Sequence, residues 1–472
     1  MEDTKTSTFH RDSEFLYRSV PQVNNFIYPP LRPSGPNDST ALAQKIELDH
    51  CGPEGAPFTI FVSIPYCEVR CHSCHMFKGL LPSGQDRTSL LDEYLECLFQ
   101  QIEAYAATTR FSSAKCGAIY LGGGTASLLS AGQVKRLIGK LRESFASEPE
   151  MEITFEGNPN DFSLNYLEEV KPNGITRLSI GYQSGNDLTL KSLNSPHRAS
   201  EGLAAVRNAL AVQFKTVNVD LLFNIPGQTL EQWQQDLYAL IEMGPQGISP
   251  GDYVVFSGTP AESLMSSGRL GKQQDLGTVD LWYQWTRQEL AEHGYNEQVR
   301  NIFAKRDHPY KYVALCCNEN REILGLGAGA YSFIGRHQFE AAGDAETYKA
   351  AIRRGQVFQA VTLSPRASDK NLMERYVMHN FFASVLSRPR FKERFGADPL
   401  AVFPEVFSKL ENNGLVSIND EEIRFTPLGQ KWRRNIYYDF RAPEFKTQND
   451  SIVCISAARP RPGGAAALPS RQ

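Results

Sequence analysis

The stretch Thr59–Phe77, TIFVSIPYCEVRCHSCHMF, decides how the rest of the chain is read. It opens with an apolar, β-branched run over Thr59–Ile64 that reads as a buried strand. Pro65 ends the run, and Cys67, Cys71 and Cys74 follow directly in CxxxCxxC spacing. Soft, anionic thiolates crowded on one loop point to zinc or an iron–sulfur cluster. Zinc in a structural site takes four protein ligands, and His72 or His75 would supply the fourth. A [4Fe–4S] cluster held by three cysteines leaves one iron open for a ligand. The position of this loop, directly after the first strand of an α/β pattern, favours the cluster.

Outward from this stretch, a strand-then-helix rhythm repeats. Strand-like runs recur at Ala118–Leu121, Glu152–Phe155, Arg177–Ile180, Val217–Phe223 and Asp252–Phe256. Amphipathic helical patterns lie between them at Leu90–Ala107, Ala131–Phe145, Ser200–Val212, Leu230–Met243 and Thr278–His293. Such alternation implies βαβ units on a parallel sheet. Six units predict an incomplete barrel, whose chemistry sits at the C-terminal ends of its strands. Those ends are polar or glycine-rich. The second run closes on Gly122-Gly123-Gly124-Thr125, where glycines let backbone N–H groups approach a ligand. The third closes on Glu156, suited either to a ligand ammonium or to a neighbouring Lys or Arg. The fourth ends at Gln183, and the fifth carries Asp220, with Pro226-Gly227-Gln228-Thr229 after it.

The flanks differ in character. Residues 1–56 are rich in Pro, Ser, Asn and Thr and predict an irregular arm. Residues 57–365 predict the barrel and an extension. Residues 366–446 predict a small winged-helix-like α+β domain, with helices at Leu372–Ser387 and Pro399–Asn412 and a hairpin turning at Asn419–Asp420. That hairpin carries Asp420, Glu421 and Glu422, which would repel phosphate, so a cap over protein or substrate is favoured over a DNA reader. Residues 447–472 are low in complexity and predict disorder. Over 472 residues, 49 Lys+Arg against 53 Asp+Glu give a net charge of −4, which disfavours nucleic acid or an anionic membrane as the main partner. Nine cysteines are too few for a disulfide scaffold. With no signal-peptide pattern and no run of ~18 apolar residues, the expectation is a cytoplasmic protein with reduced thiols. Cys316 and Cys317 are adjacent and could face a substrate.

These motifs together resemble the radical S-adenosylmethionine (SAM) superfamily and, more narrowly, its HemN-like (oxygen-independent coproporphyrinogen III oxidase-like) family. The carriers are IPYCEVRCHSC, YLGGGTASLLS, ITFEGNPNDFS, RLSIGYQS, VNVDLLFNIPGQT, LGLGAGAYSF and FTPLGQKW. The resemblance implies a partial (β/α)6 TIM-like barrel and a [4Fe–4S] cluster on Cys67, Cys71 and Cys74. It implies one SAM on the open iron, cleaved by one electron to a 5′-deoxyadenosyl radical, and a second SAM nearby. By position, Phe61, Gly123 and Glu156 match residues around the cluster-bound SAM. Gly124, Thr125, Gln183 and Asp220 match the second SAM's surroundings, Asp220 suiting ribose hydroxyls. Tyr331 matches a position that closes over the site.

The chain also departs from the family. The motif residue two before Pro65 is Ser63 rather than His, and Phe61 stands where Tyr is usual. Ser195 replaces an arginine, with Arg198 three residues on. Cys74-His75-Met76 lacks the fourth cysteine of coproporphyrinogen dehydrogenases, and YVALCCNENREILGLGAGAYSF lacks the heme motif of the chaperones. These departures point to the class C radical SAM methyltransferases and cyclopropanases of natural-product pathways, resembling those of the yatakemycin/duocarmycin type. The alternative reading keeps a coproporphyrinogen dehydrogenase-like or heme-degrading enzyme, or a non-catalytic heme-trafficking protein. The implied partners are a small aromatic substrate, a reductant such as flavodoxin or ferredoxin, and, where ring closure needs one, a separate methyltransferase.

Overall fold

The computed structural model describes residues 55–446 except 85 and 257, together with 17, 20–21, 27–31, 42, 46 and 452–453. Most of the expected arm and nearly all of the expected disordered tail lie outside the described residues.

Six parallel strands stand side by side in chain order: β1 (Phe58–Ile64), β2 (Lys115–Gly123), β3 (Ala146–Gly157), β4 (Arg177–Gln183), β5 (Thr216–Phe223) and β6 (Gly247–Asp252). The helices between them include α1 (Arg87–Ala106), α2 (Ala131–Ser144), α3 (Leu164–Val170), α4 (Ala199–Val212) and α5 (Leu230–Met243). Each buries one stripe against the sheet. On α1 the stripe is Leu91, Tyr94, Leu95, Leu98 and Ile102, the 3.6-residue spacing of a half-covered helix. Helix starts are written into the sequence as capping boxes, Ser130 with Gln133 on α2 and Thr229 with Gln232 on α5.

After α6 (Leu276–Glu292) the chain adds β7 (Tyr295–Val299), β8 (Ile302–Lys305), β9 (Ile323–Leu326), β10 (Tyr331–Ile334), β11 (His337–Ala341), the helix α7 (Ala345–Arg353) and β12 (Val361–Leu363). The twelve strands run β7-β8-β6-β5-β4-β3-β2-β1-β9-β10-β11-β12, so the sheet curls without closing. Strand β9 lies parallel to β1, and β10–β12 continue antiparallel. The fold is thus a partial α/β barrel with an extended edge.

The sixth strand lies at Gly247–Asp252, not at Asp252–Phe256. The sequence GISPGD hides it, because Gly and Pro depress strand propensity. Pro250 is tolerated because β8 pairs only with Gly247 and Ile248 of this strand, leaving no second ladder at the proline.

The C-terminal part packs its own apolar cluster, from Tyr376 and Phe381 through Phe407 and Ile423 to Phe440, and Tyr28 of the arm joins it. The expected helix at Leu372–Ser387 is shorter. Helix α8 (Asp369–Asn380) ends early, and Val385–Ser387 forms a strand, β13, because Ser384 takes a left-handed conformation. Strands β14 (Val416–Ile418) and β15 (Glu422–Phe425) flank the turn expected at Asn419–Asp420, and β13 pairs with β15. The expected helix at Pro399–Asn412 splits into Pro399–Val402 and Pro404–Asn412 at Phe403, as a residue before proline favours. A last helix, α9 (Arg433–Asp439), turns back toward the barrel. No helix among the described residues is long and apolar enough to cross a membrane.

Candidate active site

The pairing of β1 with β2 sets the site. Ser63 lies opposite Gly122 and Ile64 opposite Gly123, so the cysteine loop leaves β1 beside the glycine edge of β2. Gly123 has φ +104°, and a Cβ on Gly124 would sit 2.6 Å from the Tyr66 carbonyl oxygen. Only glycine permits this approach of backbone to backbone. Gly124 N–H and Thr125 N–H both donate to the Ile64 carbonyl, at 2.8 and 3.3 Å. The cysteine loop is stitched down from the other side. His72 N–H donates to Leu193 O, Asn194 Nδ2 donates to Arg70 O, and Ala261 N–H donates to His72 O.

The three cysteines are unpaired thiols. Burial pushes the Cys71 thiol up to about 12, with the charges of Cys74 and Cys67 adding to it. Cys67 and Cys74 are raised by the same desolvation, opposed at Cys67 by a hydrogen bond from Thr125 and at Cys74 by the Met76 and Phe77 amides. Thiols within mutual electrostatic reach in a poorly solvated loop favour a cation, which deprotonates them on binding. No three His, Cys, Asp or Glu side chains among the described residues stand close enough to share a single metal ion. A cluster presents each thiolate with its own iron and accepts a wider spacing. Of the histidines of the zinc alternative, His72 is held through Nδ1, 2.8 Å from Ser192 O, and the His75 ring packs 4.0 Å from that of Phe256. Three thiols on one loop, with no fourth residue among the described ones committed beside them, fit a cluster that keeps one iron open for a ligand.

One cavity of about 750 Å³ opens at these strand ends. Its wall includes Phe61, Cys71, Cys74, Gly123, Gly124, Thr125, Glu156, Gln183 and Tyr331. Of the site residues expected from sequence, Cys67 and Asp220 are not in this wall. Cys67 stands behind, bonded by Thr125. Asp220 lies inside the barrel, where its carboxylate accepts from Ser179 Oγ and Asn218 Nδ2, each at 2.9 Å. Arg198 is likewise outside the wall, serving as the N-cap of α4, whereas Ser195 lines it. Cys316 and Cys317 are buried outside the wall, Cys316 Sγ lying 3.4 Å from Thr59 Oγ1.

Glu156 is the acidic group nearest the glycine edge: its Oε2 would lie 2.6 Å from a Cβ placed on Gly122. Burial pushes its carboxyl up to about 7, Asp220 adds to the rise, and a hydrogen bond from Tyr120 opposes it. A buried carboxyl of this kind gains most from a cationic partner, such as a ligand ammonium. Gln183 has φ 62° at the end of β4, which turns the chain across the cavity floor.

Several wall residues had no sequence signal. Tyr120, Ile323, Phe333 and Gln338 belong to strands whose inward face could not be told from the outward one. Asp252 and Arg375 depend on contacts between the barrel and the C-terminal part. Arg434 of α9 donates to Asp252 Oδ2 at 3.0 Å, and Arg375 of α8 lines the cavity.

Residues 61–238 match the family described as "Radical SAM superfamily", and residues 386–432 match "HemN C-terminal domain". The chain is 26% identical over 381 residues to the heme chaperone HemW of Bacillus subtilis, covering 80% of this chain and 98% of that protein. It is 26% identical over 408 residues to the oxygen-independent coproporphyrinogen III oxidase of Salmonella typhimurium, covering 82% and 86%. In structure it superposes on coproporphyrinogen III oxidase (HemN) from Escherichia coli with a TM-score of 0.73 and 22% identity, over 90% of this chain and 96% of that one. These relatives carry tetrapyrrole names, so the comparisons support the reading that the motif departures had placed second, ahead of a methyltransferase. Matched in its barrel segment and again in its C-terminal domain, the chain has the fold of HemN and is similar to HemN-like members of the radical SAM superfamily, a superfamily that uses a [4Fe–4S] cluster and SAM.

Proposed function

We propose that this chain cleaves SAM by one-electron reduction and uses the radical to take hydrogen from a flat, conjugated substrate. The observation that carries this reading is the convergence of Cys71, Cys74, the Gly123–Gly124 edge and Glu156 on one cavity, with Cys67 directly behind. When bound, the cluster and SAM supply the electron transfer and the carbon radical. Cys67, Cys71 and Cys74 would hold the cluster. Glu156 would pair with the SAM ammonium, and the backbone at Gly123 would lie against its methionine portion. Phe61, stacked on Tyr120 at 5.8 Å, and Tyr331 present apolar ring surface that keeps water from the reacting carbon. The electron would come from a flavodoxin- or ferredoxin-type protein.

The relatives favour a tetrapyrrole as the substrate. A second reading, carbon transfer from a second SAM to an aromatic sp2 carbon, has an observation of its own. Among the described wall residues Arg375 is the sole Lys or Arg, a poor match for a coproporphyrin-type substrate with four carboxylates. Gln183, Gly124 and Thr125 would then border the second SAM. Oxygen-free reconstituted protein tests both. Formation of 5′-deoxyadenosine supports the shared reading, and its absence refutes it. Decarboxylation of coproporphyrinogen III identifies the first substrate class, and label from methyl-labelled SAM in a product identifies the second. Stoichiometric heme binding without SAM cleavage would instead indicate trafficking.

A further inference from the structure

One wall of the cavity is built by the second half of the chain, from Ile323, Ser332, Phe333, Gln338 and Arg375. Arg375 is 1% exposed. Its Nε donates to Asn320 Oδ1 at 3.1 Å and its Nη1 to the Tyr28 carbonyl at 3.0 Å, and its guanidinium carbon lies 3.9 Å above the Phe333 ring. Three elements thus fix one planar cation at the cavity's edge. Gln338 stands directly across the β10–β11 pair from Phe333, so the two side chains share a face at neighbour distance. Gln338 is 3% exposed, yet its Oε1 finds no hydrogen-bond partner. A buried amide with an unused end is expected to be completed by a ligand, and a half-turn of that amide presents Nε2 as a donor.

We propose that Arg375 and Gln338 receive a carboxylate of the substrate. A guanidinium held in plane is suited to carboxylate geometry. The acidic side chains in the same wall are committed elsewhere, Glu156 to the ligand ammonium proposed above and Asp252 to Arg434, so neither competes for Arg375. The rings of Phe61, Tyr312 and Phe333 supply faces for a flat body attached to it. The carboxylate could belong to a tetrapyrrole side chain or to a small aromatic acid. This inference rests on the proposed radical SAM reading and names what that site selects.

Isothermal titration of the full-length reconstituted protein at pH 8 tests it, with naphthalene-2-carboxylate, its uncharged carboxamide, and coproporphyrin III as probes. Wild type should bind the carboxylate at least tenfold more tightly than the carboxamide. Arg375→Met should abolish that preference. Because Arg375→Met also removes the bonds to Tyr28 and Asn320 and so puts the fold at risk, Gln338→Glu carries the test independently. It keeps the side-chain size, places a negative charge in the same wall as Arg375, and should weaken carboxylate binding at least tenfold while moving the carboxamide less than threefold. Tighter binding of coproporphyrin III with the same loss in Gln338→Glu supports the inference and assigns the tetrapyrrole source. Loss confined to the naphthoate supports it and assigns the aromatic acid. Equal affinity for acid and amide in wild type, or an unchanged Gln338→Glu, overturns it. Measuring 5′-deoxyadenosine in the same preparation separates the two claims: its absence defeats the radical reading, and its presence without carboxylate selectivity defeats this inference alone.

Discussion

Adding one methyl group at Gly124 should damage the site, while the same methyl at Gly139 should stabilise the protein. A Cβ at Gly124 would stand 2.6 Å from Tyr66 O, 2.9 Å from Ile64 O and 3.0 Å from Pro65 C. All three are backbone atoms, so no side chain can swing aside. Reaching ordinary contact near 3.4 Å requires about 0.8 Å of movement between the end of β1 and the loop after β2. That movement passes directly into Cys67 and stretches the two bonds to Ile64 O. Overpacking of this kind costs about 1–3 kcal/mol, or roughly 2–6 °C in the melting midpoint of a domain this large. At Gly139, inside α2, a Cβ meets nothing within 4 Å, and Gly→Ala in a helix interior gains about 0.5–1 kcal/mol. Melting curves followed by circular dichroism, with iron content after anaerobic reconstitution, read both effects. Gly124→Ala should melt lower and load less iron, and Gly139→Ala should melt at or above wild type with full loading. A Gly124→Ala protein with wild-type melting and iron content would refute the claim that this close approach positions the cysteine loop.

Three further outcomes follow from particular contacts. Glu156→Gln should retain its iron, because it is no thiol, but should lose at least tenfold in SAM cleavage measured as 5′-deoxyadenosine; wild-type turnover would make Glu156 a packing residue. Asp161, buried beside Ser127, has its carboxyl raised to about 6, chiefly by desolvation, with the Ser127 hydrogen bond opposing. A raised acid binds its proton more tightly folded than unfolded, so its contribution is present below about pH 3.8 and is lost as pH climbs to about 6. Asp161→Asn should therefore gain relative to wild type by at most about 3 kcal/mol across that window, read by denaturant titration at pH 4 and pH 7. Asp252→Asn removes the carboxylate that Arg434 bonds at 3.0 Å and Arg433 approaches at 3.6 Å. Leaving buried guanidinium charge uncompensated costs about 3–5 kcal/mol, so the C-terminal part should become sensitive to limited proteolysis while wild type resists.

The repeating part of the fold was legible because its signals are local. Strands β1 to β5 show as β-branched runs, and α2 and α5 begin at capping boxes that three or four residues spell out. The sixth strand was displaced because GISPGD pairs through backbone that its own side chains disfavour. The site was legible where a strand end carries an unusual residue type: the cysteines, the three glycines, Glu156 and Gln183. It was not legible where selection depends on distance between elements. Asp220 carries the right chemistry at the right strand, but its place behind the cavity wall, bonded by Ser179 and Asn218, is set by the packing of strands and not by its own residue type. Arg375 sits in a helix with no motif around it, and only the packing of α8 against β10 brings it to the cavity.

That packing bears on how the two parts of the chain divide the work. The cysteine loop, the glycine edge and Glu156 all come from the first half of the barrel, where each is fixed by strands paired in parallel register. The opposite wall comes from β9–β11 and α8, beyond the sixth strand, where the sheet curls without closing. An open sheet leaves apolar strand surface that must be covered, and here α8 and α9 supply the cover. The stacking of Arg375 on Phe333 and the Arg434–Asp252 bond hold that cover against the strands. The same contacts that seal the barrel therefore also choose which charges the cavity shows to a substrate. Changes in α8 or β11 can then alter selectivity while leaving the cysteine loop, and the one-electron chemistry it would support, in place.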